Sequence, residues 1–254
     1  MSLAKPHIAL ISGAWHSPVH YQEMNNLLEK AGYPVSSIRL PSVGSSEPEK
    51  ESVNGDAIAI REKLLLPLLD EGKDVVMLMH SYGGCPGSAA AKGLSKAERK
   101  TSGGVIGLIY IAAFLAREGD SLLSALGGKF DPWVIINEET GQLDVRDPTE
   151  VFYHDVSSDK ASTAVKDLKI HSRAALSSPS PPSAWGTSEY NCRRGYIRTL
   201  DDHTILPIAQ EMMLKHSGVD WNIREMNTSH SPFLSKPQET ADIIVEMISG
   251  LGTE

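Results

Sequence analysis

A serine at the end of an apolar stretch is the side chain best placed for nucleophilic chemistry. Ser81 follows the apolar run 74–79 and precedes Gly83 and Gly84, after which the small residues of 86–91 are typical of a packed helix. A strand that turns through a serine into a helix needs a strained backbone, and glycines just after the serine make such a turn sterically feasible. This is the pattern of a nucleophile elbow, in which the hydroxyl projects above a sheet. We therefore predict that Ser81 is a nucleophile.

A serine hydroxyl is nearly unionised at neutral pH, so it needs a base and a carboxylate that orients the base. In an α/β sheet these groups follow in the order serine, acid, histidine, each after a strand. His230 lies between the last predicted strand and the closing helix, and we predict that it is the base. Asp201 and Asp202 both follow the strand 195–199. Asp202 is favoured because the turn after it must project its carboxylate over the sheet before Pro207 begins a helix; Asp201 is the alternative.

Two backbone N–H groups are candidates for binding the oxyanion that forms when such a serine attacks a carbonyl. The elbow geometry uses the residue after the nucleophile and a residue in the loop after the first core strand. Here these residues are Tyr82 and Ala14. Gly13, next to Ala14, would let the backbone turn close to a substrate.

Strands alternate with helices on both sides of the serine. The predicted strands are 7–11, 35–40, 74–79, 104–113, 195–199 and 221–226, and the predicted helices are 21–28, 56–69, 207–216 and 237–248. Most of these strands are continuously apolar, which is typical of a parallel sheet covered on both faces. We predict an α/β fold with a mostly parallel central sheet and helices on both faces.

The alternation breaks in the middle of the chain. Residues 115–194 contain Gly and Pro pairs and the Ser/Pro run 177–182, with helical spacing only in patches such as 161–176. We predict that residues 115–194 form an inserted, mainly helical cap, and that residues 1–114 and 195–254 form the core.

Composition excludes several classes of partner. Of the 254 residues, 41% are hydrophobic, which is enough for a large core. The net charge is −8, and the sequence has no stripe of Lys and Arg that could bind nucleic acid or an anionic membrane. No apolar stretch approaches the roughly 20 residues that cross a bilayer. The residues 1–6 lack a signal, and Cys85 and Cys192 cannot make a disulfide framework, so we expect a cytoplasmic protein.

The sequence indicates no cofactor. No group of His, Asp, Glu or Cys has the spacing of metal ligands, and no phosphate-binding or dinucleotide-binding loop is present. We expect a small-molecule substrate as the partner. The sequence is compatible with a monomer or a homodimer.

These segments resemble the α/β-hydrolase superfamily, in the branch of plant methylesterases, hydroxynitrile lyases and small microbial hydrolases. The resemblance covers nearly the whole chain. The elbow matches at 80–84, although Met79 stands where the family has a leading glycine. The first loop, 12–16, matches His-Gly-x-x-His with Ser12 in place of the first histidine.

The same resemblance covers the acid and histidine segments. The spacing from Asp202 to Leu206-Pro207 and on to Gln210 is similar to the lyase version, and it selects Asp202. The histidine segment matches through His230 and Pro237.

Two positions separate the lyases from the esterases of this branch. The lyases carry a lysine immediately after the catalytic histidine and a threonine in the first loop. Ser231 and Gly13 stand at these positions. The resemblance therefore implies hydrolysis.

Together these features predict a serine hydrolase that cleaves a carboxylic ester, thioester or lactone of a small, fairly apolar molecule through an acyl-enzyme. The alternatives are a lyase or isomerase that uses the triad as an acid–base device, and a non-catalytic binding protein. The residues predicted to contact the substrate are Gly13, Trp15, His16, Trp133, Phe152, Tyr153 and Trp185.

Overall fold

The computed structural model describes residues 5–100 and 103–252. The strands are β1 (His7–Ile11), β2 (Val35–Ser37), β3 (Asp74–His80), β4 (Gly104–Ile111), β5 (Val134–Asn137), β6 (Gln142–Val145), β7 (His171–Ser172), β8 (Arg194–Thr199) and β9 (Asn222–Met226). The helices are α1 (Gln22–Lys30), α2 (Val53–Ile60), α3 (Leu66–Asp70), α4 (Gly84–Ala91), α5 (Lys96–Arg99), α6 (Leu122–Ala125), α7 (Pro148–Phe152), α8 (Ser158–Asp167), α9 (Arg173–Ser177), α10 (Pro207–Ser217), α11 (Pro232–Ser235) and α12 (Pro237–Ser249). No helix of these described ranges is long and apolar enough to span a bilayer.

The central sheet has six strands in the order β2-β1-β3-β4-β8-β9, and every neighbouring pair is parallel. The predicted α/β fold is confirmed. The register pairs Ile11 with Met79, His80 with Ile111, Ile111 with Ile197 and Thr199 with Met226. The carboxyl ends of these strands therefore lie at one edge, and the loops after β1, β3, β8 and β9 emerge there side by side.

Both faces of the sheet are buried at its central strands, as their continuous apolar runs predict. In β3, Val76 and Leu78 face the layer of α1 and α12, whereas Met77 and Met79 face the layer of α2 and α4. All four side chains are at most 1% exposed. Full burial of a side chain of this size contributes about 1.5–3 kcal/mol, so this strand is firmly fixed in the middle of the core.

Met79, which replaces the usual elbow glycine, is accommodated by a glycine on the helix. A Cβ built on Gly87 of α4 would lie 2.8 Å from the Met79 sulfur. The long side chain thus occupies the space that any larger residue at Gly87 would need, and strand and helix still approach closely.

Two elements differ from their predicted bounds. β2 ends at Ser37 rather than at residue 40. The predicted helix 56–69 begins earlier, at Val53, because the Ser52 hydroxyl accepts a hydrogen bond from the Gly55 N–H at 3.0 Å. A π-helical turn at 61–65 then leads directly into α3, and Pro67, which has no N–H to donate, lies just after this turn.

The segment between β4 and β8 contains a small sheet in addition to helices α6 to α9. β5, β6 and β7 form a three-stranded antiparallel sheet that the sequence did not indicate. β7 falls inside the patch 161–176 of helical spacing, and it has only two residues, so no alternating pattern marks it. The division of the chain into core and cap stays a prediction.

The packing of the elbow can be tested at Gly84. A Cβ there would lie 2.4 Å from the Phe114 carbonyl oxygen, so Gly84→Ala should lower the free energy of unfolding by about 3 kcal/mol. Gly186 has no atom within 4 Å of a built Cβ, and Gly186→Ala should change it by less than about 1 kcal/mol. Urea denaturation measures both. Equal stability of the two variants would contradict the close approach.

Candidate active site

Ser81 occupies the turn between β3 and α4 in a left-handed backbone conformation, with φ 53°. A non-glycine residue rarely adopts this region, and it persists only where the surrounding structure enforces it. The Phe114 N–H donates to the Ser81 carbonyl oxygen at 3.1 Å. On the other side, a Cβ on Gly83 would lie 2.6 Å from the Ser12 carbonyl oxygen. The ends of β1 and β4 thus clamp the turn.

Asp202 and His230 meet in the buried interior at the same edge. The His230 Nδ1–H donates to Asp202 Oδ2 at 2.8 Å, and both side chains are at most 1% exposed. Asp202 Oδ1 also accepts the N–H groups of Thr204 and Ile205 at 2.7 and 2.8 Å, and the Thr199 hydroxyl donates to Oδ2 at 2.7 Å. The carboxylate is held from several sides, which fixes the orientation of the imidazole.

These partners decide the charge of Asp202. Burial by itself would raise the pKa of the carboxyl, but the charge and hydrogen bond of His230, with the bonds from Thr199 and Ile205, lower it below its ordinary value. Asp202 is therefore ionised at neutral pH, in the state that can stabilise an imidazolium.

Asp201 points elsewhere. Its side chain is largely exposed, and Oδ2 lies 3.2 Å from His154 Nε2. Of the two candidate acids, the structure brings Asp202 to His230 and Asp201 to the protein surface.

A chain of hydrogen bonds joins the loop after β1, the elbow and the His230 loop. The Gly13 N–H donates to the Tyr21 hydroxyl at 3.0 Å, which donates to His80 Nδ1 at 2.8 Å, and His80 Nε2–H donates to the His230 carbonyl oxygen at 3.0 Å. Burial, followed by the charge of His230, lowers the pKa of His80 well below its ordinary value. His80 is thus a neutral link that does not oppose a positive charge on His230.

Through this chain His80, the residue before Ser81, is hydrogen-bonded to the backbone of His230. Because Nδ1 of His230 is bound to Asp202, Nε2 is the nitrogen left for a serine hydroxyl. Within residues 5–100 and 103–252 no hydrogen bond joins the Ser81 hydroxyl to His230. Such contacts often tighten only when substrate is bound.

The predicted oxyanion donors, Ala14 and Tyr82, line a small cavity together with Ser81. Among the described residues, the Ala14 N–H donates to no protein acceptor. Its carbonyl oxygen accepts from His16 Nδ1 at 2.7 Å, and His16 Nε2 accepts from the Tyr153 hydroxyl at 2.8 Å. Burial first, then the charge of His20, lowers the pKa of His16 well below its ordinary value, so this link is also neutral.

The similarity of the chain to known proteins agrees with a serine in a left-handed turn at the same edge of a parallel sheet as a buried aspartate–histidine pair. The model of the alpha/beta hydrolase family matches residues 8–243. The chain belongs to this family. It is 30% identical to the alpha/beta hydrolase nvfD of Aspergillus novofumigatus, over 99% of this chain and 98% of that one. Its relatives include named hydrolases and putative methylesterases, and this protein is an enzyme of the same family.

Solved structures show the same fold. A pyrethroid hydrolase from Sphingobium faniae superposes with a TM-score of 0.75 at 22% identity, over 96% of this chain and 97% of that one. A methylesterase from Arabidopsis superposes with a TM-score of 0.72 at 17% identity, over 96% and 99%. The resemblance to plant methylesterases therefore extends from motifs to the whole fold.

Two adjoining cavities lie near the elbow of this hydrolase, and the smaller one is lined by Ser81. The inner one, of about 30 Å³, lies against Ser81, Ala14 and Tyr82. The outer one, of about 790 Å³, does not include Ser81 but is the only one of the two large enough for a metabolite. Both are lined by Phe114, Leu126, Asp131, Trp133 and Thr204. The shared wall indicates one binding cleft with a narrow end at the serine.

The predicted substrate-contacting residues divide into two groups. Trp15 and Trp133 line the inner cavity, and Trp133 and Trp185 line the outer one. His16, Phe152 and Tyr153 are buried and line neither cavity, and the Phe152 ring lies 5.2 Å from His16 and 5.9 Å from His230. Gly13 lies next to the nucleophile, since a Cβ on it would lie 2.9 Å from Ser81 Cβ. Contact of these four residues with a substrate stays a prediction.

One cluster has side chains close enough to suggest metal ligation, although no spacing in the sequence indicated it. Ligand atoms of His154, Asp201 and His203 lie within 4.8 Å of one another. The two imidazole rings are stacked, with centroids 3.9 Å apart and planes 15° from parallel. A nitrogen lone pair lies in its ring plane, so nearly parallel rings do not point at a common ion. We therefore assign no metal site to this cluster.

The sequence did not indicate several residues that complete the site. Tyr21 and Asp131 belong to a helix start and a loop without any motif, and only three-dimensional proximity reveals their roles. Gln210 was part of the matched acid segment, and its amide donates to the Thr199 carbonyl at 3.2 Å and to the Ile205 carbonyl at 2.7 Å. The spacing from Asp202 through Pro207 to Gln210 was the feature of the sequence that could have identified this residue.

The choice of acid can be tested by neutralising each aspartate. Asp202→Asn should lower kcat for p-nitrophenyl acetate by about 10³- to 10⁴-fold, because an amide favours the wrong imidazole tautomer. Asp201→Asn, the matched control, should stay within about 2-fold of wild type because its side chain is at the surface. Steady-state kinetics check both, and the opposite ranking would assign the acid to Asp201.

Proposed function

We propose that this enzyme is a serine hydrolase that cleaves a carboxylic ester, thioester or lactone, with Ser81 as nucleophile, His230 as base and Asp202 as the orienting acid. The observation that carries the proposal is the buried 2.8 Å contact between Asp202 and His230, at the same sheet edge as the left-handed turn of Ser81. A paired, ionised carboxylate beside a buried imidazole is the arrangement that activates a serine hydroxyl.

The proposed reaction has two halves. His230 Nε2 takes the Ser81 proton as Oγ attacks the carbonyl carbon, and the N–H groups of Ala14 and Tyr82 bind the oxyanion. His230 then gives the proton to the leaving alcohol, thiol or enol, which leaves an acyl-enzyme. In the second half His230 removes a proton from water, the resulting hydroxide equivalent attacks the acyl carbon, and Ser81 regains its proton as the acid departs.

The cleft supports a small, largely apolar substrate. Its outer part has the indole rings of Trp133 and Trp185 together with Met212 and Met213 on its walls. Asp131 lines both cavities, and its carboxylate would repel a negatively charged group bound beside it. We propose that the group nearest Asp131 is neutral, as in an ester, and that the larger part of the substrate occupies the outer cavity.

Hydrolysis is favoured over the lyase reaction by the residue after His230. Ser231 is buried and carries no charge, whereas the lyases of the branch have a lysine there. The resemblance to named hydrolases and esterases supports the same choice.

The decisive experiment uses a fluorophosphonate probe and p-nitrophenyl esters. Wild-type protein should be labelled once, at Ser81, and should show a burst of p-nitrophenol equal to the enzyme concentration. Ser81→Ala should lose labelling and at least about 10⁴-fold of kcat, because the nucleophile is gone. Ser88→Ala, a buried serine on the helix after the elbow, is the matched control and should be labelled like wild type.

Labelling is located by peptide mass spectrometry. Adduct formation at another residue, or turnover of a substrate without any covalent intermediate, would contradict the proposal; the second result would favour the acid–base lyase.

A further inference from the structure

Tyr82 has two parts that face different surroundings. Its backbone N–H is a proposed oxyanion donor beside Ser81, whereas its ring is 1% exposed and extends into the core. There the Tyr82 hydroxyl donates to Asp56 Oδ2 at 2.7 Å. The position of the N–H at the site is thus mechanically connected to an aspartate on α2 that does not line either cavity.

Asp56 is a completely buried carboxylate whose hydrogen-bond donors are all neutral. Besides Tyr82, it accepts the Ser42 N–H at 3.0 Å and the Ser42 hydroxyl at 2.5 Å. Burial raises the pKa of Asp56 to about 6, and the like charge of Glu51 acts in the same direction. An ionised carboxylate held without a cation is costly, and an uncharged residue would stabilise the core better. Its presence therefore needs a reason other than stability.

The same cluster reaches the loop after β1. His171 Nε2 lies 3.2 Å from the Ser42 hydroxyl, and its ring packs edge-on to Tyr82 with centroids 4.9 Å apart. The Trp15 and His171 rings also pack together, with centroids 5.7 Å apart. Trp15 follows Ala14, the second proposed oxyanion donor. Tyr82 is therefore hydrogen-bonded to this buried polar cluster, and Trp15 packs against it.

We propose that Asp56 is a positioning residue for oxyanion binding, which acts through the Tyr82 hydroxyl to hold the Tyr82 peptide N–H in the direction of the developing charge. The inference rests on the proposed function. Oxyanion donors accelerate a reaction only if they are oriented before the charge develops, and a hydrogen bond to an ionised acceptor is stronger and shorter than a neutral one. Ser42 fixes both oxygens of Asp56, since its N–H donates to Oδ1 and its hydroxyl to Oδ2, and the Ser42 hydroxyl is in turn within hydrogen-bonding distance of His171.

The test compares Asp56→Asn, Tyr82→Phe and the double variant. Each single change should lower kcat for p-nitrophenyl acetate by about 10-fold or more with KM within about 2-fold, because the loss is confined to the transition state. The double variant should be no slower than the slower single variant, because each single change already removes the same hydrogen bond between Tyr82 and Asp56. Affinity for a trifluoromethyl ketone, which forms an oxyanion on Ser81, should fall by the same factor as kcat.

Tyr190→Phe is the matched control. Tyr190 is a buried tyrosine whose hydroxyl donates to the Ala91 carbonyl at 3.3 Å, and it belongs to neither the site nor the Asp56 cluster. It should keep wild-type kcat and ketone affinity whatever its effect on thermal stability. A merely structural role of Asp56 would change thermal stability and leave kcat of the folded protein unchanged, as in this control.

Three results would overturn the inference: unchanged kcat in either single variant, a rise in KM in place of a fall in kcat, or effects that multiply in the double variant. Tyr82→Phe keeps the test decisive if Asp56→Asn does not fold. Wild-type protein that reacts with neither the ketone nor the fluorophosphonate would instead overturn the proposed function, and this inference with it.

Discussion

The left-handed backbone of Ser81 is the constraint on which the rest of the site depends. This conformation costs energy, and it exists because three strand ends meet around it: the carbonyl oxygens at the end of β1 lie against Gly83, Phe114 after β4 lies against Gly84, and β3 leads into the turn. Any side chain at these glycines would separate the strands. The parallel register, which ends these strands at one edge, is therefore what makes this turn feasible.

Two neutral buried histidines lie near His230, the proposed base. His80 and His16 are held neutral by burial, and each uses both ring nitrogens to bind the loops next to the site. His230, by contrast, has the ionised Asp202 at its Nδ1. A positive charge on His80 or His16 would repel a positive charge on His230, and the neutrality of both residues removes that repulsion.

The sequence was sufficient to predict the features that follow from hydrophobic periodicity and from the positions at which strands end. Continuous apolar runs predicted a parallel sheet, and the position of Ser81, Asp202 and His230 after β3, β8 and β9 follows from that topology. The motif departure at Met79 could not be judged, because its compensation by Gly87 is a contact between residues on different elements. Short strands such as β7 were missed because two residues have no period.

The polar networks behind the site could not be predicted for a different reason. Tyr21 and His80 are far apart in sequence, as are Asp56 and Tyr82. Each pair is joined by a hydrogen bond shorter than 3 Å between a tyrosine hydroxyl and the other side chain, and no sequence pattern marks such a bond. The same holds for the cleft walls: Trp133 and Trp185 were candidates by type, whereas Asp131 lies in a loop that no motif marks. Packing, rather than pattern, assigns these roles.

The most direct measurement is a crystal structure of the protein after reaction with a phosphonate ester. The expected structure has phosphorus bonded to Ser81 Oγ, the phosphoryl oxygen within hydrogen-bonding distance of the N–H groups of Ala14 and Tyr82, and His230 Nε2 near the remaining oxygen. A phosphoryl oxygen directed away from both N–H groups, or a His230 ring that contacts neither Ser81 nor the adduct, would contradict the convergence of these loops into one catalytic site.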